Sequence, residues 1–206
     1  MSRQSGTGAK PAYQPTAVRL LAAAMAEFNE HGFAGTDTNR IARRAGFAPQ
    51  TFYRWYPDKT AIFVAVYRGW EDEEMTAVAG LLESRAPASA LVEAIFEHHR
   101  RHLLFRRSLR RLSLEDPLVR RARADSRLRQ IVQISGGSDC PAVAAERIGV
   151  ELLQLERLAD ALAEGELTDM GLGEQLALDR LAAIVEGLRA WGGVRPGDLP
   201  ATAEGP

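Results

Sequence analysis

Only one cysteine, Cys140, occurs in the 206 residues, which excludes an intrachain disulfide and suits a reducing compartment. Lysine is nearly missing as well, since Lys10 and Lys59 are the only two among 26 basic residues. Alternating β-branched runs are lacking while Ala, Leu, Glu and Arg dominate, which argues against a β-rich fold and for helices throughout. No apolar run approaches the roughly 18 to 20 residues of a membrane span. The opening MSRQSGTGAKPAYQP has no apolar signal segment, so a cytoplasmic protein without a membrane partner is expected. No G-x-S-x-G, P-loop, zinc-deaminase or E-x-x-H pattern is present. The expectation is accordingly no enzyme and no cofactor.

What is present is ordinary in amount and uneven in placement. With 46% hydrophobic residues the chain can bury one substantial core or two small ones. Its formal net charge of −1 hides a division at Gly69: nine basic against four acidic residues up to that point give +5, and seventeen against twenty-three beyond it give −6. A basic head on an acidic body is the pattern of a nucleic-acid-binding segment carried by a non-binding one.

The segment from Thr36 to Lys59, TDTNRIARRAGFAPQTFYRWYPDK, reads as two short helices joined by a glycine turn. Thr36 can serve as N-cap, Ile41, Ala42 and Ala45 form a small apolar face, and Gly46 can adopt the positive φ that ends the helix. Pro49 suits the first turn of the next helix. There Phe52 and Tyr56 fall at i, i+4 and face inward with Phe47, leaving Gln50, Thr51, Tyr53 and Arg54 outward. An amide, a hydroxyl, a phenol and a guanidinium on one face are suited to reading DNA.

Thr36, Ile41, Ala42, Ala45, Gly46, Phe47, Thr51, Phe52, Tyr53, Tyr56 and Lys59 together carry a resemblance to the DNA-binding segment of the TetR/AcrR family of one-component transcriptional regulators. The likeness covers roughly residues 16 to 66; beyond it only length and helical pattern agree. One departure is visible: the family usually has Ser as N-cap of the recognition helix, where this chain has Ala48, leaving an amide that a DNA phosphate could satisfy. The resemblance implies Thr38 and Asn39 on phosphates, Gln50 and Thr51 on base edges, and Tyr53, Trp55 and Lys59 on the backbone. It leaves Arg54 open between guanine and phosphate. Arg40, Arg43 and Arg44 read as a solvated basic edge.

Around this segment the expected fold is all-α: a three-helix helix-turn-helix DNA-binding head (residues 15–58) followed by a larger helical effector-binding and dimerisation bundle (59–194). Flexible tails are expected at 1–14, where Arg3 and Lys10 could brush DNA, and at 195–206. Helices are expected over Thr16–His31, Lys59–Gly69, Ala88–Phe105, Ser108–Leu114, Asp116–Ile134, Pro141–Glu164 and Gly173–Trp191. The last two carry more apolar surface than one packing face needs, and the resemblance implies that they form a four-helix dimer interface. It also implies a body pocket for a small-molecule effector, for which Trp70, Phe96, His98, His102 and Phe105 are candidates. His98 and His102 share a helix face at a spacing that can hold a metal, though structural or pocket-lining imidazoles suit the surrounding sequence better, and no metal is expected. Eleven arginines between residues 100 and 129 could be solvated, bind an anionic effector or dock on acidic helices.

The function these expectations describe is a ligand-responsive transcriptional regulator, a repressor that binds a palindromic operator in double-stranded DNA as a homodimer and is released by a small-molecule effector. The alternatives are an activator or ligand-independent regulator with the same head, or a helical-bundle enzyme or metal-binding protein that carries a basic head.

Overall fold

Helix stops and caps in the sequence largely decide where the chain turns. The computed structural model describes residues 15–137 and 140–192. Both expected tails, with Arg3 and Lys10, lie outside those bounds. Among the described residues the regular elements are helices: α1 Thr16–His31, α2 Thr38–Arg44, α3 Pro49–Tyr53, α4 Lys59–Glu83, α5 Ala88–Arg101, α6 Leu103–Glu115, α7 Pro117–Ile134, α8 Ala142–Glu164, α9 Glu166–Asp169 and α10 Gln175–Gly192.

Local chemistry accounts for most of these boundaries. Gly32 ends α1 at φ 66°, and Gly46 ends the α2 turn at φ 76°. The positive φ calls for glycine at Gly46, and a Cβ there would also displace the Arg19 guanidinium, whose Nη2 donates to the Ala45 carbonyl at 2.6 Å. Asp58 Oδ1 caps α4 through the Ala61 amide at 2.8 Å, and Asp116 Oδ1 caps α7 through the Leu118 amide at 2.8 Å, with Pro117 opening that helix. The N-cap of α2 is Asp37, whose Oδ1 accepts from the Arg40 amide at 2.8 Å, and not Thr36 as expected. Thr36 is buried and its hydroxyl donates to the Glu27 carbonyl of α1 at 3.2 Å, tying the loop down.

The helices depart from the sequence reading at three places. α4 passes Gly69 and runs 25 residues; a helical glycine costs only about 1 kcal/mol, and burial of the Tyr67 and Trp70 side chains around it offsets that. The expected helix over 88–105 breaks at His102 (φ −116°, ψ 32°), where neither Gly nor Pro marks a stop, and α6 begins at Leu103 instead of Ser108. His102 is fixed there by α1, since Asn29 Nδ2 donates to its Nδ1 at 2.8 Å. The single turn α9 follows left-handed Gly165 (φ 77°).

Packing joins the head to the body. One core cluster combines Leu20, Phe28, Ile41 and Phe52 of α1 to α3 with Ile62, Phe63 and Trp70 of α4 and with Phe105, Leu109 and Val119. A division after residue 58 thus runs through the interior of a single core. Phe63 sits at its centre, with ring centroids 5.0 Å from both Phe28 and Phe105. Two smaller clusters fill the rest of the body, one around Leu91, Leu162 and Leu181, the other around Ile148, Leu152, Ile184 and Leu188.

Candidate nucleic-acid interface and body cavity

The five residues of α3 divide sharply by side. Phe52 is fully buried against Tyr56 and Tyr53, while Gln50, Tyr53 and Arg54 face outward and Thr51 is half-buried. Trp55, just past the helix, leaves 52% of its surface open, and Tyr53 leaves 56%. Thr38 at the start of α2 shares a hydrogen bond of 2.9 Å with the Tyr53 hydroxyl, and Asn39 lies exposed beside it. The structure thus joins Thr38 of α2 to Tyr53 of α3, and leaves Asn39, Gln50, Tyr53, Arg54 and Trp55 open to solvent with Thr51 half-buried. Ala48 precedes α3 and accepts no side-chain cap bond, as its methyl group requires.

Lys59, for which the resemblance implies a DNA-backbone contact, is engaged by the protein's own backbone in the free chain. Its Nζ donates to the carbonyls of Phe33 and Thr36, each at 2.8 Å, and lies 4.1 Å from the centre of the Phe33 ring. Burial lowers its pKa below the usual lysine value. The ammonium closes the loop after α1 onto the start of α4. The basic edge also needs correction, because Arg40 and Arg44 are not simply solvated. Arg40 Nε and Arg44 Nη1 hold the buried Glu27 carboxylate at 2.9 and 3.2 Å, and Arg44 also pairs with Glu30. Burial works against the Glu27 charge, yet these hydrogen bonds outweigh it and lower its pKa. They fasten α2 to α1; Arg43 alone of the three remains exposed without an ion pair among the described residues.

The arginine-rich segment docks on acidic positions of α8, the third of the readings open to it. Buried Arg106 reaches Glu156 at 2.8 Å and Asp160 at 2.9 Å; Arg123 reaches Glu156 at 2.8 Å, and Arg127 pairs with the same carboxylate. Arg110 holds Glu164 at 2.8 Å. Glu156, Asp160 and Glu164 recur every fourth residue in α8, an acidic stripe beside its apolar one. His99 completes the network, its two ring nitrogens each 3.1 Å from a carboxylate oxygen, one of Asp160 and one of Glu74. Burial and the Arg106 charge depress its pKa, but the two carboxylates prevail and raise it.

A cavity of about 310 Å³ opens between the two body clusters, walled by Val78 and Leu82 of α4, Leu91 and Ile95 of α5, Ile134 of α7, Leu152 of α8, and Val185 and Leu188 of α10. Glu74, Arg127, Gln130, Gln133 and Arg189 add its few polar groups. None of the expected effector residues lines it. Trp70 and Phe105 are buried in the core that joins head and body. His98 stacks on Trp70 at 4.7 Å and donates through Nε2 to the Trp70 carbonyl at 3.2 Å, while Arg106 covers the same indole at 4.8 Å. Phe96 packs on the cluster around Leu91. His98 and His102 lie edge to face at 5.1 Å, but each ring bonds elsewhere, and among the described residues no three His, Cys, Asp or Glu side chains converge as a metal site would require. Period and residue type find an aromatic-histidine face; only packing shows that this face is solid and that the void lies one layer away.

In class, then, this is an all-α protein with a helix-turn-helix head. Residues 20–66 match the model of the bacterial regulatory proteins of the tetR family. Over 76 residues the chain is 33% identical to the HTH-type transcriptional regulator RutR of Escherichia coli K12, and the same match recurs in Shigella flexneri. That alignment covers 37% of this chain and 36% of the relative, so the chain matches about a third of the relative's length. Solved structures extend the likeness across both parts. A transcriptional regulator from Rhodococcus sp. Rha1 superposes with a TM-score of 0.61 at 16% identity, over 88% of this chain and 100% of that one. The fatty acid degradation regulator FadR of Bacillus halodurans gives 0.57 at 14%, over 89% and 98%. A TetR/AcrR-family regulator from Thermobifida fusca gives 0.51 at 15%, over 82% and 95%. At such identities the superpositions establish the fold. The head, residues 20–66, is thus similar in sequence to tetR-family regulators, and the whole described chain shares the fold of these solved regulators.

Proposed function

We propose that the chain is a DNA-binding transcriptional regulator which acts as a homodimer on a palindromic operator and is released by a small molecule. The observation that carries this reading is the outward row on α3 and its flank, where Gln50, Tyr53, Arg54 and Trp55 are exposed around a fully buried Phe52. Gln50 and Thr51 open the helix, where side chains reach base edges; Gln pairs bidentately with adenine and the Thr methyl meets thymine. Thr38, Asn39, Tyr53 and Trp55 suit phosphate and sugar, and Arg54 either class of contact. Lys59 is better assigned to holding the head together.

One such helix reads too few bases for selectivity, which favours two heads on a palindrome with centres about 34 to 36 Å apart. The outer faces of α8 and α10 support pairing: Val150, Leu153 and Leu176 are exposed, while Leu152, Leu181 and Leu188 on the inner faces fill the chain's own core. Repression is the simplest mode, in which an effector in the body cavity favours a head spacing that does not fit the operator. A coupling of about 1 to 3 kcal/mol gives a 5- to 150-fold change in DNA affinity.

Footprinting of purified protein on DNA flanking its gene tests the reading. A protected palindrome whose affinity falls by about 1 to 3 kcal/mol in Gln50→Ala, with preference relaxed at one base position, is the expected result. Equal binding of all sequences by wild type and variant would refute it.

A further inference from the structure

Among the described residues Glu74 is the one carboxylate on the cavity wall, and half of its hydrogen-bonding capacity is unfilled. Glu74 projects from α4 into a space walled mainly by aliphatic side chains and Met75. Only one of its carboxylate oxygens is engaged, by His99 Nε2 at 3.1 Å; among the described residues the other accepts no hydrogen bond. Its pKa lies below the usual carboxylate range, since the pull of His99 outweighs the cost of burial, so the group is an anion at neutral pH.

The terminal guanidinium nitrogens of the wall's two arginines are already engaged by protein groups. Arg127 gives Nη1 to Gln130 at 2.6 Å and Nη2 to Glu156, and Gln130 in turn donates to Glu71 at 3.2 Å. Arg189 donates from Nη1 to Glu186 at 3.2 Å and from Nη2 to the Ala86 carbonyl at 2.6 Å, while its Nε is buried without a partner among the described residues. An anionic ligand would find the terminal nitrogens of both guanidinium groups already engaged, with the single N–H of Arg189 Nε left over. A cation would find a carboxylate oxygen that nothing else fills, and no aromatic ring on the wall competes as a cation partner.

We propose that the cavity binds a lipophilic cation: an apolar body of one or two rings bearing an ammonium group that rests on Glu74. The volume of about 310 Å³ fits that size, being roughly twice the ~150 Å³ apolar cavity that admits benzene. The apolar wall supplies most of the affinity and the single carboxylate fixes orientation, the usual division of labour in a small-molecule site. Glu74 stands on the helix that begins at Lys59 in the head and also holds His99, which reaches Asp160 of α8. The charge of the ligand is therefore felt by α4, α5 and α8 together.

This proposal rests on reading the cavity as the effector site, and its test does not depend on DNA. Titration calorimetry of the full chain with 1-naphthylmethylamine, 1-naphthalenemethanol and 1-naphthoic acid compares one ring system with three head groups. The expected result is that the amine binds at least tenfold tighter than the alcohol and the acid. Glu74→Gln should bring the amine down to the level of the alcohol and leave the alcohol unchanged. Filling the void with Val185→Phe should abolish all three. Preference for the acid, equal binding of the three, or no binding of any by the wild-type chain would overturn the proposal, and the wild-type ranking decides even if a variant fails to fold. Operator binding without amine preference would leave the regulator reading intact and remove this one; amine binding at Glu74 without operator binding would do the reverse.

Discussion

Replacing Lys59 by methionine separates two jobs that one ammonium could do. Methionine keeps an apolar stem over Phe33 but removes the charge that joins the Phe33 and Thr36 carbonyls to α4 at 2.8 Å each. Hydrogen bonds to a charged group are worth about 1.5 to 3 kcal/mol apiece. Burial of the ammonium, which lowers its pKa, takes back part of that sum. A net loss of about 2 to 3 kcal/mol follows, and at roughly 2 to 4 °C per kcal/mol for a chain of this size the thermal midpoint should fall by about 4 to 12 °C. Operator affinity measured by fluorescence anisotropy at several salt concentrations, well below the midpoint, then reads the other job. A phosphate contact contributes about 0.9 to the slope of log K against log salt, and the structure leads us to expect that slope to stay unchanged. A variant that melts with the wild type and loses about one unit of slope per site would refute the structural role and restore Lys59 to the DNA backbone.

Ala48→Ser should supply the missing cap of α3 and raise stability of the free protein by about 1 kcal/mol in urea denaturation; an unchanged midpoint would count against an uncapped helix end. Arg106→Ala should strip Glu156 and Asp160 of their buried partner and cost about 3 to 5 kcal/mol, so a loss under about 1 kcal/mol would show that Arg110, Arg123 and Arg127 suffice without it. The histidines set an acid limit. Burial, with the charges of His98, Arg101 and His99, lowers the His102 pKa to about 4. The unfolded chain then takes up that proton first, below about pH 6.5, and stability should fall between about pH 6.5 and 4. The loss is about 1 to 2 kcal/mol once the partial access of the ring to solvent is allowed for. His99 acts in the opposite sense, since its raised pKa favours the folded chain in acid and loses that contribution as pH rises through the folded value. Thermal midpoints of His102→Gln at pH 7 and pH 5 should differ less than those of the wild type; equal differences would remove His102 as the cause.

The head was legible because its signals are local. Gly46, Pro49, Asp58 and the spacing of Phe52 from Tyr56 each constrain the few residues around them, and these constraints agree. The same reading named Thr36 as the cap where Asp37 takes the role, since either side chain can accept the bond and only the path of the loop over Glu27 chooses between them. In the body, Asp116 with Pro117 announced α7 for the same local reason. The break at His102 had no such announcement, because its cause is an asparagine 73 residues away on α1.

What the sequence by itself determined is the all-helical class, the head and its outward row of Gln50, Thr51, Tyr53 and Arg54, and the apolar stripes of α8 and α10. These follow from spacing within one helix, which a linear chain displays directly. Only the tertiary structure decided that Arg40, Arg44 and Lys59 bind protein groups, that Arg106 is buried on α8, and that the void opens at Glu74 and not among Trp70, His98 and Phe105. Whether a charge meets water, a carbonyl or an opposite charge, and whether an apolar face meets another face or a gap, depends on helices far apart in the chain packing to within a few ångströms, and no local pattern encodes that fit.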